Sequence, residues 1–150
     1  MSPNSMQIEA YQFQIASASF RYITDSWSGP GWDFLFQASC ANDTCAEMFP
    51  YDATLRTEAS PLPLNRLEDF TGVEISVPAP YDEESGEPFF GLMIGEEHEV
   101  SNLKLRFVER DGNRYLIEIK ADAASSVLGH ISKLEVLAWA DQLPDHAYPT

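Results

Sequence analysis

Along most of the chain apolar and polar side chains alternate with period two, as in strands that bury one face, and few segments carry the 3.6-residue period of a helix. Tyr11, Phe13 and Ile15 share one face of a first strand, continued after small residues by Phe20 and Tyr22. Trp32, Phe34, Phe36 and Ala38 share a face of the next, entered through the turn at 28–31. Val73, Ile75 and Val77 line a third, which stops at Pro78-Ala79-Pro80. Phe89 to Ile94 form a fourth and Leu134 to Trp139 the last.

The strongest local signal is a hairpin over 102–120, where Leu103, Leu105 and Phe107 alternate in step with Tyr115, Ile117 and Ile119. Opposed residues of an antiparallel pair point to the same face, so the register must bring the two apolar sets together. A two-residue Asp111-Gly112 turn fails, because it sets Leu105 opposite Glu118. A three-residue loop of Arg110, Asp111 and Gly112 pairs Phe107 with Tyr115, Leu105 with Ile117 and Leu103 with Ile119. It puts Gly112 at the left-handed position and Lys104 opposite Glu118 outside.

Helix signals are short. Thr44 with Glu47 caps one turn before Pro50, Asn65 starts another that ends at Gly72, and 122–129 runs from an N-cap at Asp122 to Gly129. The expected fold is all-β, in one globular domain over 1–150: an antiparallel two-layer sandwich or partly open barrel of seven or eight strands with one or two short helices, with α+β as the alternative.

Charge adds what the pattern does not. The formal net charge is −15, and it is unevenly spread: residues 22–103 hold 16 acids against Arg56 and Arg66, and from Leu67 to Leu103 there are ten acids and no base. Such a field disfavours nucleic acid and anionic membranes, whose phosphates are bound by Lys and Arg, and attracts a basic protein. The chain shows no secretory signal pattern and no apolar run of membrane-spanning length, which predicts a cytoplasmic protein. In that compartment Cys40 and Cys45 are expected as free thiols.

The acids Asp82, Glu83, Glu84, Glu87, Glu96, Glu97 and Glu99 flank the apolar stretch Phe89 to Ile94. That stretch is either a central strand covered on both faces or an edge strand completed by a partner, with Phe90 and Met93 as anchors in the second case. Trp27 precedes the 28–31 turn and, with Tyr81, offers aromatic surface either to the same partner or to a sugar ring. Calcium is a competing use of the acids at 82–87, although the glycine falls one position early for the calcium-loop pattern. The cysteines and scattered histidines lack zinc spacing, and no nucleophile elbow, glycine-rich phosphate loop or metalloprotease motif is present. No metal, cofactor or catalytic residue is assigned.

In its size, the acidic excess of 22–103, the lack of catalytic motifs and the 103–119 hairpin, the chain resembles the small acidic immunity proteins that bacteria pair with polymorphic toxins. The resemblance implies a non-enzymatic inhibitor that binds one cognate basic toxin, such as a nuclease, with carboxylates standing in for phosphates as one mechanism. Two other classes stay open: a carbohydrate or small-ligand β-sandwich using Trp27 and Tyr81, and a hydrolase whose site is assembled from distant residues.

Overall fold

The computed structural model describes residues 1–125 and 127–148. In chain order the elements are β1 (Ser5–Ile8), β2 (Tyr11–Asp25), β3 (Gly31–Cys40), α1 (Asp43–Met48), β4 (Ala53–Arg56), β5 (Glu74–Val77), β6 (Gly91–Ile94), β7 (Glu96–Asp111), β8 (Arg114–Ala124), β9 (Ile131–Gln142) and β10 (His146–Ala147). Strand follows strand through β2, β3, β4, β6, β7, β8, β9 and β1, and β1 then returns to β2 by pairing Met6 with Phe13. The result is a closed antiparallel barrel of eight strands. The end of β9 also meets β2 in parallel, Ser19 opposite Asp141. The short β10 extends that seam, with His146 beside Ile23.

Closure removes the sheet edges that an open sandwich would expose. A barrel of eight strands is about wide enough for side chains to fill it, and aromatic rings do so here. Phe20, Phe34, Phe107 and Tyr115 are fully buried, with Phe20 stacked on Phe34 at 5.3 Å between centroids and Phe107 edge-on to Tyr115 at 5.6 Å. The connection between β4 and β5 plugs one end with Phe70, which stacks on Phe107 at 5.0 Å and donates its backbone N–H to the Tyr115 hydroxyl at 3.3 Å. Where that connection passes β3, Gly31 is required: a Cβ there would lie 2.1 Å from the Ala59 carbonyl oxygen.

The alternating sets predicted for β2, β3 and β5 face the core, with adjustments. A bulge at Ala16 restores phase between Ile15 and Ala18, and beyond Phe20 the fully buried residue is Ile23, while Tyr22 is half-buried against Trp32 at 5.2 Å. In the β7–β8 hairpin Gly112 has positive φ as predicted, but the register differs. Asp111 pairs with Arg114 across a two-residue Gly112-Asn113 turn, and a bulge at Val108 then sets Phe107 opposite Ile117 and Leu105 opposite Ile119. The two apolar sets still meet, because the bulge changes the phase that the shorter turn would have broken. Outside, Glu118 faces Arg106 at 3.4 Å, and Lys104 faces Lys120 rather than Glu118.

One predicted helix forms. Its N-cap is Asn42, whose Oδ1 accepts the Cys45 N–H at 2.9 Å, two residues before the predicted Thr44. The turn expected from Asn65 is irregular chain, and the described part of 122–129 continues β8 to Ala124 and then turns. The cysteines are also corrected: Cys40, ending β3, and Cys45, buried in α1, form a disulfide with Cα atoms 5.5 Å apart. The Asn42 cap starts the helix immediately after the strand and brings the two sulfurs together. Among the described residues no helix is long and apolar enough to cross a membrane.

Candidate functional site

β6 lies between β4 and β7, so it is a central strand, but only one of its faces is covered. Leu92 and Ile94 point inward. Met93 points outward at 49% exposure, in a row with Thr54 on β4 and Glu97 on β7. The neighbouring outward row runs from Arg56 through Gly91 to Glu99. Neither of the two expectations for Phe89 to Ile94 holds as stated, because the strand is hydrogen-bonded on both edges and bare on one face. Phe90 is corrected too. It is 2% exposed and packs 6.0 Å from Phe34, so it belongs to the core and cannot anchor a partner.

The segment leading into β6 folds as a small hairpin against this wall. Tyr81 bridges to Pro88, the Asp82 N–H donates to the Glu87 carbonyl at 2.9 Å, and the Gly86 N–H donates to the Asp82 carbonyl at 2.8 Å with Gly86 at positive φ. The Asp82 carboxylate accepts the Ser85 N–H and hydroxyl, so Asp82 holds the loop while Glu83, Glu84 and Glu87 face solvent. Tyr81, 43% exposed, donates its hydroxyl to Glu99 Oε2 at 3.2 Å and ties the hairpin to β7. That hydrogen bond, and then the Glu99 charge, raise the phenol pKa above its ordinary value. Glu96 turns toward the next loop and accepts the Val127 N–H at 3.0 Å.

The fold therefore puts Met93, Glu97 and Glu99 on the outer face of the β4–β6–β7 wall and Tyr81, Asp82, Glu83, Glu84 and Glu87 on the hairpin joined to it through Tyr81 and Glu99. It leaves Trp27 apart, 94% exposed in the β2–β3 turn, where the Ser26 hydroxyl donates to the Gly29 carbonyl. Two depressions among the described residues, one beside Met1–Gln7 and one beside Glu99 and His130, are lined by neither Trp27 nor Tyr81. Among the same residues no three His, Cys, Asp or Glu side chains converge as metal ligands.

Among the described residues few of the acids are neutralised by a basic neighbour, on this wall or elsewhere. Arg56, Arg66, Arg106, Arg110, Arg114 and Lys133 pair with Glu58, Asp145, Glu118, Asp69, Asp141 and Asp122. No ion pair among the described residues includes Asp82, Glu83, Glu84, Glu87, Glu97 or Glu99. Arg56, the basic side chain of the outward Arg56–Gly91–Glu99 row, pairs with Glu58, so the field of these six carboxylates is left to solvent.

Two histidine environments add to the reading from sequence. His98 points into the barrel between the outward Glu97 and Glu99, opposite Leu92, at 1% exposure. Neither of its ring nitrogens has a hydrogen-bond partner, its ring lies 6.1 Å from Phe49, and burial lowers its pKa. Its alternation with those two acids was the available signal. His130 is exposed and bonds Glu9 across the β1–β2 and β8–β9 loops, which raises the imidazole pKa and lowers that of the carboxylate.

No family model, no curated protein and no solved structure matches this chain.

Proposed function

We propose that this chain is a non-enzymatic acidic binding protein of the immunity type, which neutralises a cognate basic toxin, a nuclease being one such partner, by docking through the β4–β6–β7 wall. The observation that carries the reading is the run of six carboxylates without an ion pair among the described residues, Glu97 and Glu99 on β7 beside Met93 and Tyr81, and Asp82, Glu83, Glu84 and Glu87 on the hairpin that Tyr81 ties to β7. Uncompensated acids of one sign steer a basic partner and set its orientation, and half-exposed apolar side chains within them supply desolvated contact. If the partner is a nuclease, the carboxylates occupy its phosphate-binding groups. Trp27 is a separate exposed contact beyond this wall. The Cys40–Cys45 bond favours an oxidising compartment over the cytoplasm expected from the lack of a secretory signal pattern.

The test is association with the product of the neighbouring reading frame in the source genome. Replacing Glu83, Glu84, Glu87 and Glu97 by Lys should slow stopped-flow association by about tenfold or more at low salt, and salt near 0.3 M should remove most of that difference. An unchanged on-rate at low salt would reject the wall as the docking face.

A further inference from the structure

Among the described residues, one strand of more than two residues, β5, pairs along one edge only. β7 is long enough to take two partners along the same side: β6 pairs with Glu96 to Glu99, and β5 pairs with Leu103 to Arg106. β6 continues to β4, whereas β5 pairs with β7 alone. The Phe107 N–H donates to the Val73 carbonyl at 2.9 Å, and Ile75 and Val77 stand opposite Leu105 and Leu103. In an antiparallel ladder the bonds to one neighbour fall on alternate residues. Ile75, Val77 and the Val73 carbonyl are thus committed to β7, the Val73 N–H donates to the Phe70 carbonyl, and the N–H and C=O groups of Glu74 and Ser76 point away from β7.

We infer that β5 is a strand-addition site for an extended basic segment of the partner, a proposal that rests on the docking wall described above. Complementary charge selects the occupant. A strand laid on the open edge faces Glu74 with its outward side chains and Ile75 and Val77 with its inward ones. Past Pro78-Ala79-Pro80 it meets the hairpin bearing Glu83, Glu84 and Glu87. An alternating basic and apolar segment fits both. A second copy of this chain does not, because β5 is short, is ended by prolines and would set Glu74 near another acid; these features guard an edge against self-pairing. In such addition main-chain bonds supply affinity and alternate side chains supply selectivity.

The probe is a fluorescein-labelled peptide of alternating Lys and Val, titrated into the full chain at low salt with anisotropy as the readout. Three changes separate strand addition from charge attraction. N-methylation of alternate peptide residues removes main-chain donors and keeps every charge. Ser76→Pro removes a donor on the open edge and leaves the β7 ladder intact, since proline is tolerated where an edge N–H faces outward. Ser76→Ala is the control. N-methylation and Ser76→Pro should each weaken binding by about tenfold, with Ser76→Ala near the parent. If the N-methylated peptide binds as well as the unmodified one, or neither binds, strand addition is overturned; the N-methyl comparison uses the parent chain and is independent of how Ser76→Pro folds. The charge-reversal result with the cognate protein stands or falls separately.

Discussion

The hydroxyl of Tyr115 accepts the backbone N–H of Phe70 inside the barrel, 45 residues apart in sequence, and fixes the connection that closes one end. Tyr115→Phe keeps the ring contacts with Phe70, Phe107 and Phe20 but leaves that buried N–H without its partner. An orphaned buried donor costs about 1–3 kcal/mol. Urea unfolding should show that loss as a lower midpoint with an unchanged slope.

The disulfide closes a sequence separation of only 5 residues, so its entropic contribution is small, about 2 kcal/mol. Cys40→Ser with Cys45→Ser should lower stability by about that amount while the barrel's circular dichroism persists. Under native oxidising conditions alkylation should label no thiol, and after reduction it should label both. Two labelled thiols before reduction would return the chain to the free-cysteine reading.

His98 should make stability fall with acid. Burial holds its folded pKa below the unfolded value of about 6.5, so in the interval between them the unfolded chain binds more protons. Its contribution is complete above that value and is lost as pH falls toward the folded pKa. His130 acts with the opposite sign: its raised pKa gives a contribution complete below about 6.5 and lost as pH rises through the folded value. Comparing His98→Leu with the parent isolates the first effect. The stability difference should move in favour of the variant as pH falls from about 7.5 to about 5.5, and a constant difference would reject the assignment.

Lys104 and Lys120 stand directly opposite on the solvent face of β7 and β8, a like-charge pair in a chain poor in bases. Lys104→Glu makes the pair attractive and should raise stability by about 0.3 kcal/mol at low salt. The gain should vanish when salt is raised.

What was legible was what alternation governs. Phe34, Phe36, Ile75, Leu105 and Ile117 were placed inside by parity alone, since a buried strand face needs apolar side chains at every second position. The hairpin register was not legible, because the bulge at Val108 inserts one residue without a distinctive side chain, and the turn and the bulge were chosen together by the packing of Phe107 and Tyr115. Closure was hidden for a similar reason: the pairing of Met6 with both Phe13 and Val136 is fixed by the barrel as a whole. The outward positions of Glu97, Glu99 and Met93 follow from phase alone. Phe90 was misread because it precedes β6 and its connection carries it beneath the wall.

The return of β1 to β9 has a consequence during synthesis. The seam that completes the barrel joins residues 5–8 to residues 134–137, so the chain must leave the ribosome at least as far as β9 before the first strand meets its second neighbour. Until then the seam between β1 and β9 stays open. Contacts so distant in sequence are slow to form, in the range of about milliseconds to seconds for all-β domains.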